Sequence, residues 1–278
     1  MNSIKPIALE ALRTLWRDKR LWFFGFFVAA GAGGGGAQLD LPAHGGPLQG
    51  VSALLVGALV GGSLLGLLGL ALHVVSEGAL IRSVFAGRGG ERPPMADGWR
   101  AGLASAWRVL GVKAVVAFLC ALAVGVAAVP IALGATHVVP LWLGVSLGLP
   151  LLLVAAPFAI TLYLVHEVAL RLVVLENRGV LDALRGGRDF LRGRLAYVLS
   201  IVVVDGVAQA ASGLVALPFA LPALALGYGL HAAFGLVPAL VTVGVLMLPI
   251  ATLIVGARGT FRSTLWTLGF LDERPSLG

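Results

Sequence analysis

Six apolar runs, near residues 21–37, 48–74, 112–134, 139–165, 195–217 and 236–257, occupy most of this 278-residue chain. Each approaches or exceeds the roughly 20 residues a helix needs to cross about 30 Å of hydrocarbon. Backbone surrounded by lipid must satisfy its own hydrogen bonds, which leaves only helices or a closed barrel. Runs this long, without polar alternation, select helices. The sequence therefore predicts an all-α fold, a polytopic transmembrane bundle of six helices in a single domain spanning 1–278. Composition agrees: 59% of residues are hydrophobic and 12% charged, where a soluble domain carries about 25% charge.

Charge placement sets the count. With an inside N-terminus and six alternating spans, the inside segments are 1–20, 75–111, 166–194 and 258–278. They hold five, five, six and three Lys or Arg, and Lys113 at the inner edge of span three completes the twenty. The outer loops, near 38–47, 135–138 and 218–235, hold none, and Asp40 is their only charged side chain. A basic bias this one-sided marks cytoplasmic loops. Both termini are thus expected in the cytoplasm and the chain in the inner (cytoplasmic) membrane of a bacterium. The first run is the weakest, because Gly31 and Gly33 to Gly36 dilute it, and a re-entrant course is its alternative. Arg13, Arg17, Lys19 and Arg20 before it imitate a signal peptide, but the basic stretch is long and the run reads as a retained span.

The net charge of +7 fits anionic headgroups better than nucleic acid, because the basic residues form separate clusters. Cys120, the single cysteine, lies within an apolar run and makes no intrachain disulfide or cysteine metal cluster. No cofactor is expected.

An internal repeat emerges from the cytoplasmic segments. Three times an amphipathic stretch leads into a helical hairpin, giving units near 1–89, 90–179 and 180–278. The first stretch places Ile7, Ala8, Ala11, Leu12, Leu15 and Trp16 opposite Glu10, Arg13, Thr14 and Arg17. The second starts at Asp97, a helix N-cap residue type, and carries Trp99, Leu103, Ala106, Trp107 and Leu110 on one face, with Arg108 following. The third sets Val180, Leu184, Gly187 and Leu191 apart from Arg185, Arg188 and Arg192. Glu77-Gly-Ala-Leu80 through Arg88-Gly89 aligns with Glu167-Val-Ala-Leu170 through Arg178-Gly179 without a gap, while Arg258-Gly-Thr-Phe-Arg262 is a looser third copy. Helices with Trp and Arg on opposite faces lie in the headgroup plane. Trp16, Arg17, Trp99, Trp107, Arg108, Arg188 and Arg192 are the expected interfacial anchors, and membrane lipid the expected partner. Anchoring explains them without further function; docking of a membrane protein or a second copy is the sharper alternative.

Few residues suggest chemistry. Asp205 falls about ten residues into span five, near mid-membrane on this reading, where a carboxylate is expensive and marks either a polar site or an inter-helix tie. Gln209 and Ser212 continue its stripe. His73, His166 and Glu167 sit at inner span ends and hold a metal only if they converge. Gly144-Val-Ser146-Leu-Gly148 fits the nucleophile-elbow spacing, but lies inside an apolar run and has no histidine in the last two spans to partner it. Gly57, Gly61, Gly62 and Gly66 form small-xxx-small pairs, expected to pack within the bundle or between copies. Prolines, among them Pro130, Pro150, Pro218 and Pro249, interrupt the runs, as in the broken helices of transporters. The repeat is parallel, however, not inverted.

Three stretches carry a resemblance. They are Leu12-Arg-Thr-Leu-Trp-Arg-Asp-Lys-Arg-Leu-Trp-Phe-Phe-Gly; Glu77-Gly-Ala-Leu-Ile-Arg with Trp99-Arg100 and Trp107-Arg108; and Val173-Val-Leu-Glu-Asn-Arg-Gly-Val. Together they resemble a loose group of uncharacterised bacterial six-helix membrane proteins, some similar to the membrane domain of glycerophosphodiester phosphodiesterases. The resemblance implies a compact bundle with interfacial helices and no catalysis, since the phosphodiesterase chemistry belongs to a separate soluble domain. The expected role is a non-enzymatic accessory or scaffold protein that organises lipid or a membrane partner; the alternative is a small transporter or channel-like protein using Asp205.

The charge asymmetry makes the topology testable. In a Cys120→Ser background, cysteines at Ala43 and Thr136 should react with an impermeant thiol reagent on intact cells, and cysteines at Ser3 and Ser276 only after permeabilisation. Labelling of Ser276→Cys on intact cells would remove the six-span count.

Overall fold

The computed structural model describes residues 4–32, 51–88 and 94–274, the side chains of 32 and 51–60 excepted. Among the described residues the chain is all helix, with no strand. Its elements are α1 (Ile4–Arg17), α2 (Leu21–Ala32), α3 (Val51–Gly87), α4 (Met95–Ala135), α5 (Leu141–Leu175), α6 (Val180–Leu191), α7 (Leu195–Phe234) and α8 (Leu236–Asp272). Five of these are long and apolar enough to cross a membrane, and α2 is a shorter apolar helix. The rest of the first expected span, the loop with Asp40, the surroundings of Gly57 and the unit boundary at 89–90 lie outside what is described.

Two boundaries differ from expectation. The second amphipathic stretch is not a separate helix; it forms the first turns of the 41-residue α4. Nothing between Trp107 and Lys113 stops a helix, whereas α1 ends before Asp18-Lys19-Arg20 and α6 ends before Gly193 at φ +85°. The expected outer loop at 218–235 is also helical: α7 runs to Phe234 through Pro218 and Pro222, and only Gly235 at φ +89° separates it from α8. Hydropathy picks out 23 apolar residues at the start of a 40-residue helix and reads the remainder as a loop. Asp205 consequently lies about a quarter of the way along α7, roughly 15 Å from its start, not at its midpoint.

Burial is concentrated at one end of the bundle. The buried core draws on Phe24 of α2, Leu80 and Ile81 of α3, Val109 and Val112 of α4, Leu170 and Leu172 of α5, and Leu265 and Leu271 of α8. Toward the other end the long helices present their side chains outward. Only 11% of the most apolar window of α4, α5, α7 or α8 is buried, and Leu153, Val154, Leu224 and Leu240 are each more than half exposed. Apolar side chains at such density on an outer surface require lipid.

Three crossings organise the buried end. Helix α1 packs on α8, the first turns of α4 on α3, and α6 on α5. Each crossing helix brings a small, fully buried residue: Ala11, Gly102 and Gly187. A Cβ on Gly102 meets the Val75 carbonyl and the Ala79 nitrogen of α3, and one on Gly187 meets the Val165 carbonyl at 2.8 Å and the Ala169 nitrogen at 3.5 Å. Val75 and Ala79 occupy the same places in the gapless alignment as Val165 and Ala169. An arginine then ties the far end of each crossing segment to the end of another long helix. Arg17 donates to the Gly87 carbonyl at 3.3 Å, Arg108 to the Asn177 carbonyl at 2.8 Å, and Arg194 pairs with Glu273 at 2.8 Å.

The expected anchors divide accordingly. Trp16 and Trp107 are 61% and 82% exposed and Arg188 and Arg192 face outward, whereas Trp99 turns inward and stacks on Phe24 with ring centroids 6.3 Å apart. Within the chain, Gly61, Gly62 and Gly66 pack against nothing: no described atom lies within 4 Å of a Cβ built on them. Close backbone approach occurs instead at Gly78, Gly98 and Gly102, where α4 crosses the buried half of α3. Small-xxx-small spacing marks where a helix can be approached, and here the neighbouring helix approaches further along.

Gly187→Leu should cost about 1–3 kcal/mol through overpacking and lower the melting temperature in detergent, while Gly61→Leu should leave it unchanged. Equal melting temperatures for the two variants would contradict the crossing.

Candidate functional site: a charge cluster between the helices

Charged side chains rarely enter an apolar bundle without partners. Here α3 brings His73 and Glu77, α4 brings Lys113, α5 brings Tyr163, His166, Glu167 and Arg171, α7 brings Asp205, and α8 brings Arg262. Most of these line a cavity of about 380 Å³ bounded also by Val28 and Gly31 of α2. Their positions follow from helical spacing: His73 and Glu77, and Glu167 and Arg171, are each four residues apart and share a face.

The pairing is specific. Lys113 Nζ lies 2.6 Å from Glu77 Oε2. Glu167 takes Arg171 Nη1 on one oxygen at 2.6 Å and Arg262 Nη2 on the other at 2.5 Å. Arg262 also approaches Asp205 at 3.5 Å and donates to the Tyr163 hydroxyl at 2.7 Å. The side chains of Glu167 and Arg171 are only 4% and 3% exposed. Three carboxylates face three cations, so the cluster is neutral as a whole, and each pair except Glu167–Arg171 joins two different helices. His73 Nδ1 donates to the Phe27 carbonyl at 2.9 Å, fastening α2 to α3.

Asp205, Gln209 and Ser212 do not act as one stripe. Asp205 and Gln209 on α7 face Arg262 and Arg258 on α8, forming two rungs of an antiparallel ladder, Asp205–Arg262 and Gln209–Arg258. Ser212 bonds back to the Gln209 carbonyl of its own helix at 2.7 Å. His73, His166 and Glu167 do converge on one cavity, but no His/Cys/Asp/Glu group among the described residues has metal-holding geometry. Ser146 donates to the Leu143 carbonyl within α5 at 3.0 Å. Its flanking glycines, Gly144 and Gly148, instead receive α4 at the Pro130 carbonyl and Ile131.

Sequence reasoning missed Lys113, Arg171 and Arg262 as members. One signal pointed to the site: the aligned Glu77 and Glu167, whose place in the looser third copy on α8 is taken by Arg258, with Arg262 in the place of Arg171. No protein-family model matches the chain, and none of the curated proteins or solved structures compared with it matches either.

Removing one partner leaves the other buried and uncompensated, which costs about 3–5 kcal/mol. Glu167→Gln and Arg262→Gln should each lower stability toward unfolding in mixed micelles by that order. The double variant should lose clearly less than their sum, because Arg262 is the shared partner; additive losses would show that the pair does not couple α5 to α8.

Proposed function

We propose that this chain is a non-enzymatic integral membrane protein of six spans, an accessory or scaffold subunit that organises lipid or a membrane partner on the cytoplasmic side of a bacterial inner membrane. The observation that carries the reading is the use made of its charges. The inter-helix cluster ties helices to one another, and Arg17, Arg108 and Arg194 fasten the crossing segments to the ends of long helices. Charge spent on holding helices in place is what a rigid platform needs.

The three-unit architecture belongs to the same proposal. Each unit consists of a crossing segment and a hairpin, the pairs being α2–α3, α4–α5 and α7–α8, with both termini cytoplasmic. The crossing segment of each unit rests on the second hairpin helix of the preceding unit and is tied by its arginine to the second hairpin helix of its own. The order runs α8, α1, α3, the start of α4, α5, α6 and back to α8, so the three units close into a ring. Kinship with the membrane domain of glycerophosphodiester phosphodiesterases fits such a bundle. Exposed Trp16 and Trp107, with Arg188 and Arg192 on outward faces, suit an interfacial setting for the ring.

The polar cavity beside Glu77, Lys113 and Glu167 favours the second reading, a small transporter in which Asp205 takes part. The two readings differ at that residue. On the scaffold reading, Asp205→Asn weakens the α7–α8 ladder but leaves the permeability of reconstituted vesicles to ions and small solutes the same as wild type, and wild-type protein in mild detergent retains lipid or a protein neighbour detectable by native mass spectrometry. A solute flux abolished by Asp205→Asn would sink the scaffold reading in favour of transport.

A further inference from the structure

Arg258, one turn before Arg262 on α8, makes no ion pair with a described carboxylate, although Asp205 lies near enough to feel its charge. Its Nη2 donates to the Gln209 side-chain oxygen, a neutral acceptor. Its Nε is buried without a hydrogen-bond partner, and no carboxylate of the described residues lies within 4 Å of it. The residue is partly buried, and a guanidinium left this way beside apolar surface is complemented by an anionic acceptor, which forms a stronger, charge-assisted hydrogen bond. The surroundings show where that acceptor must come from. Arg258 lines a groove of about 670 Å³ between α1, α7 and α8. Apart from Arg258 and Ser212 the groove is apolar, walled by Leu12 and Trp16 of α1, Ala211 and Val215 of α7, and Leu253 and Ile254 of α8.

The level of the groove matters as much as its lining. Thr260 Oγ1 donates to the carbonyl of Leu21, the first residue of α2, at 3.0 Å. Arg258 therefore lies about one half-turn from the point where the amphipathic α1 gives way to the apolar α2. On the orientation proposed above that point is the inner headgroup plane, and the groove runs from it toward the hydrocarbon along α7 and α8. A cation at headgroup depth, with an apolar channel leading into the bilayer, complements a molecule with an anionic head and a long apolar tail.

We propose that the α1–α7–α8 groove is a binding site for an anionic phospholipid of the inner leaflet, its phosphate on Arg258 and one acyl chain between Trp16, Val215 and Leu253. Ser212 lies on the chain's side of the phosphate, and Gln209 holds the guanidinium fork toward the groove, which makes Gln209 a positioning residue. The site rests on the membrane-scaffold reading and names its lipid: one class of headgroup, at one place on the ring where the last unit meets the first.

The test uses the full chain, delipidated in mild detergent, with dioleoyl phosphatidylglycerol and dioleoyl phosphatidylcholine as probes, read by native mass spectrometry and by thermal unfolding. Phosphatidylglycerol is expected to bind and raise the melting temperature, and phosphatidylcholine to do so far less. Arg258→Gln should weaken phosphatidylglycerol binding about tenfold, the size of one charge-assisted contact. Arg185→Gln, on the exposed face of α6, removes the same kind of charge elsewhere and should leave it unchanged. Ala211→Trp keeps Arg258 and fills the groove, so it should also abolish tight binding, and it covers the case in which Arg258→Gln fails to fold. Equal binding of both lipids, or phosphatidylglycerol affinity unchanged in both Arg258→Gln and Ala211→Trp, overturns the site while leaving the scaffold intact. A chain that stays monodisperse without detergent overturns the membrane reading itself.

Discussion

Arg262 holds the bundle together where its helices would otherwise have least reason to meet. Two elements bring it their side chains, Glu167 and Tyr163 from α5 and Asp205 from α7, while the arginine itself stands on α8. An arginine suits the position because its planar fork donates in several directions at once and keeps its charge in an apolar setting. Around it, Arg171 lies over the Trp266 ring at 5.7 Å and Arg262 over the Tyr163 ring at 5.6 Å. The aromatic faces shield the cations from the side the carboxylates do not reach. A pair of this kind adds little to net stability over an apolar substitute. What it supplies is register: α5, α7 and α8 can slide along one another without losing apolar contact, but not without separating these charges.

Helix lengths explain why such a device is needed. Helices of 35 to 41 residues are roughly 50–60 Å long, nearly twice the hydrocarbon thickness. The half with exposed Leu and Val gains nothing from the hydrophobic effect by associating inside lipid. The other half carries the buried core, where each fully buried Leu or Phe contributes about 1.5–3 kcal/mol if its alternative is water. The bundle is thus driven together at one end and splayed at the other. The charge cluster sits at the change of regime, close to the level of Leu21 and Thr260.

Much of this was legible in the sequence. The helical class and the apolar runs came from run length. Of the faces read from 3.6-residue periodicity, the structure buries Ile7, Ala11 and Leu15 in α1 and Gly187 and Leu191 in α6, while Val180 and Leu184 are only partly buried. Helix ends were less legible, because Pro218 and Pro222 break a helix in water but not one embedded among apolar neighbours. Tertiary partners were least legible. Asp205 was visible as an anomaly, but its partner Arg262 is 57 residues away in sequence and looked like an ordinary cytoplasmic charge. Trp99 was read as an anchor because periodicity assigns a face without saying what covers it, and Phe24 covers it.

Closure of the three crossings has a consequence for how the chain holds its shape. In an open row of hairpins, the first and last units each lack a neighbour and fray independently. Here α1 lies on α8, and Thr260 of α8 bonds to the carbonyl of Leu21 across 239 positions of sequence. The last helix is therefore needed to seat the first, and Arg17 passes that contact on to the end of α3. Each crossing segment lies on one long helix and is tied by an arginine to the end of another. Loss of one crossing removes a support from two long helices at once, and a chain built this way should lose its packed end as a whole and not helix by helix. The groove between α1, α7 and α8 lies where the first helix meets the last two, one of the places at which segments from opposite ends of the chain are packed together.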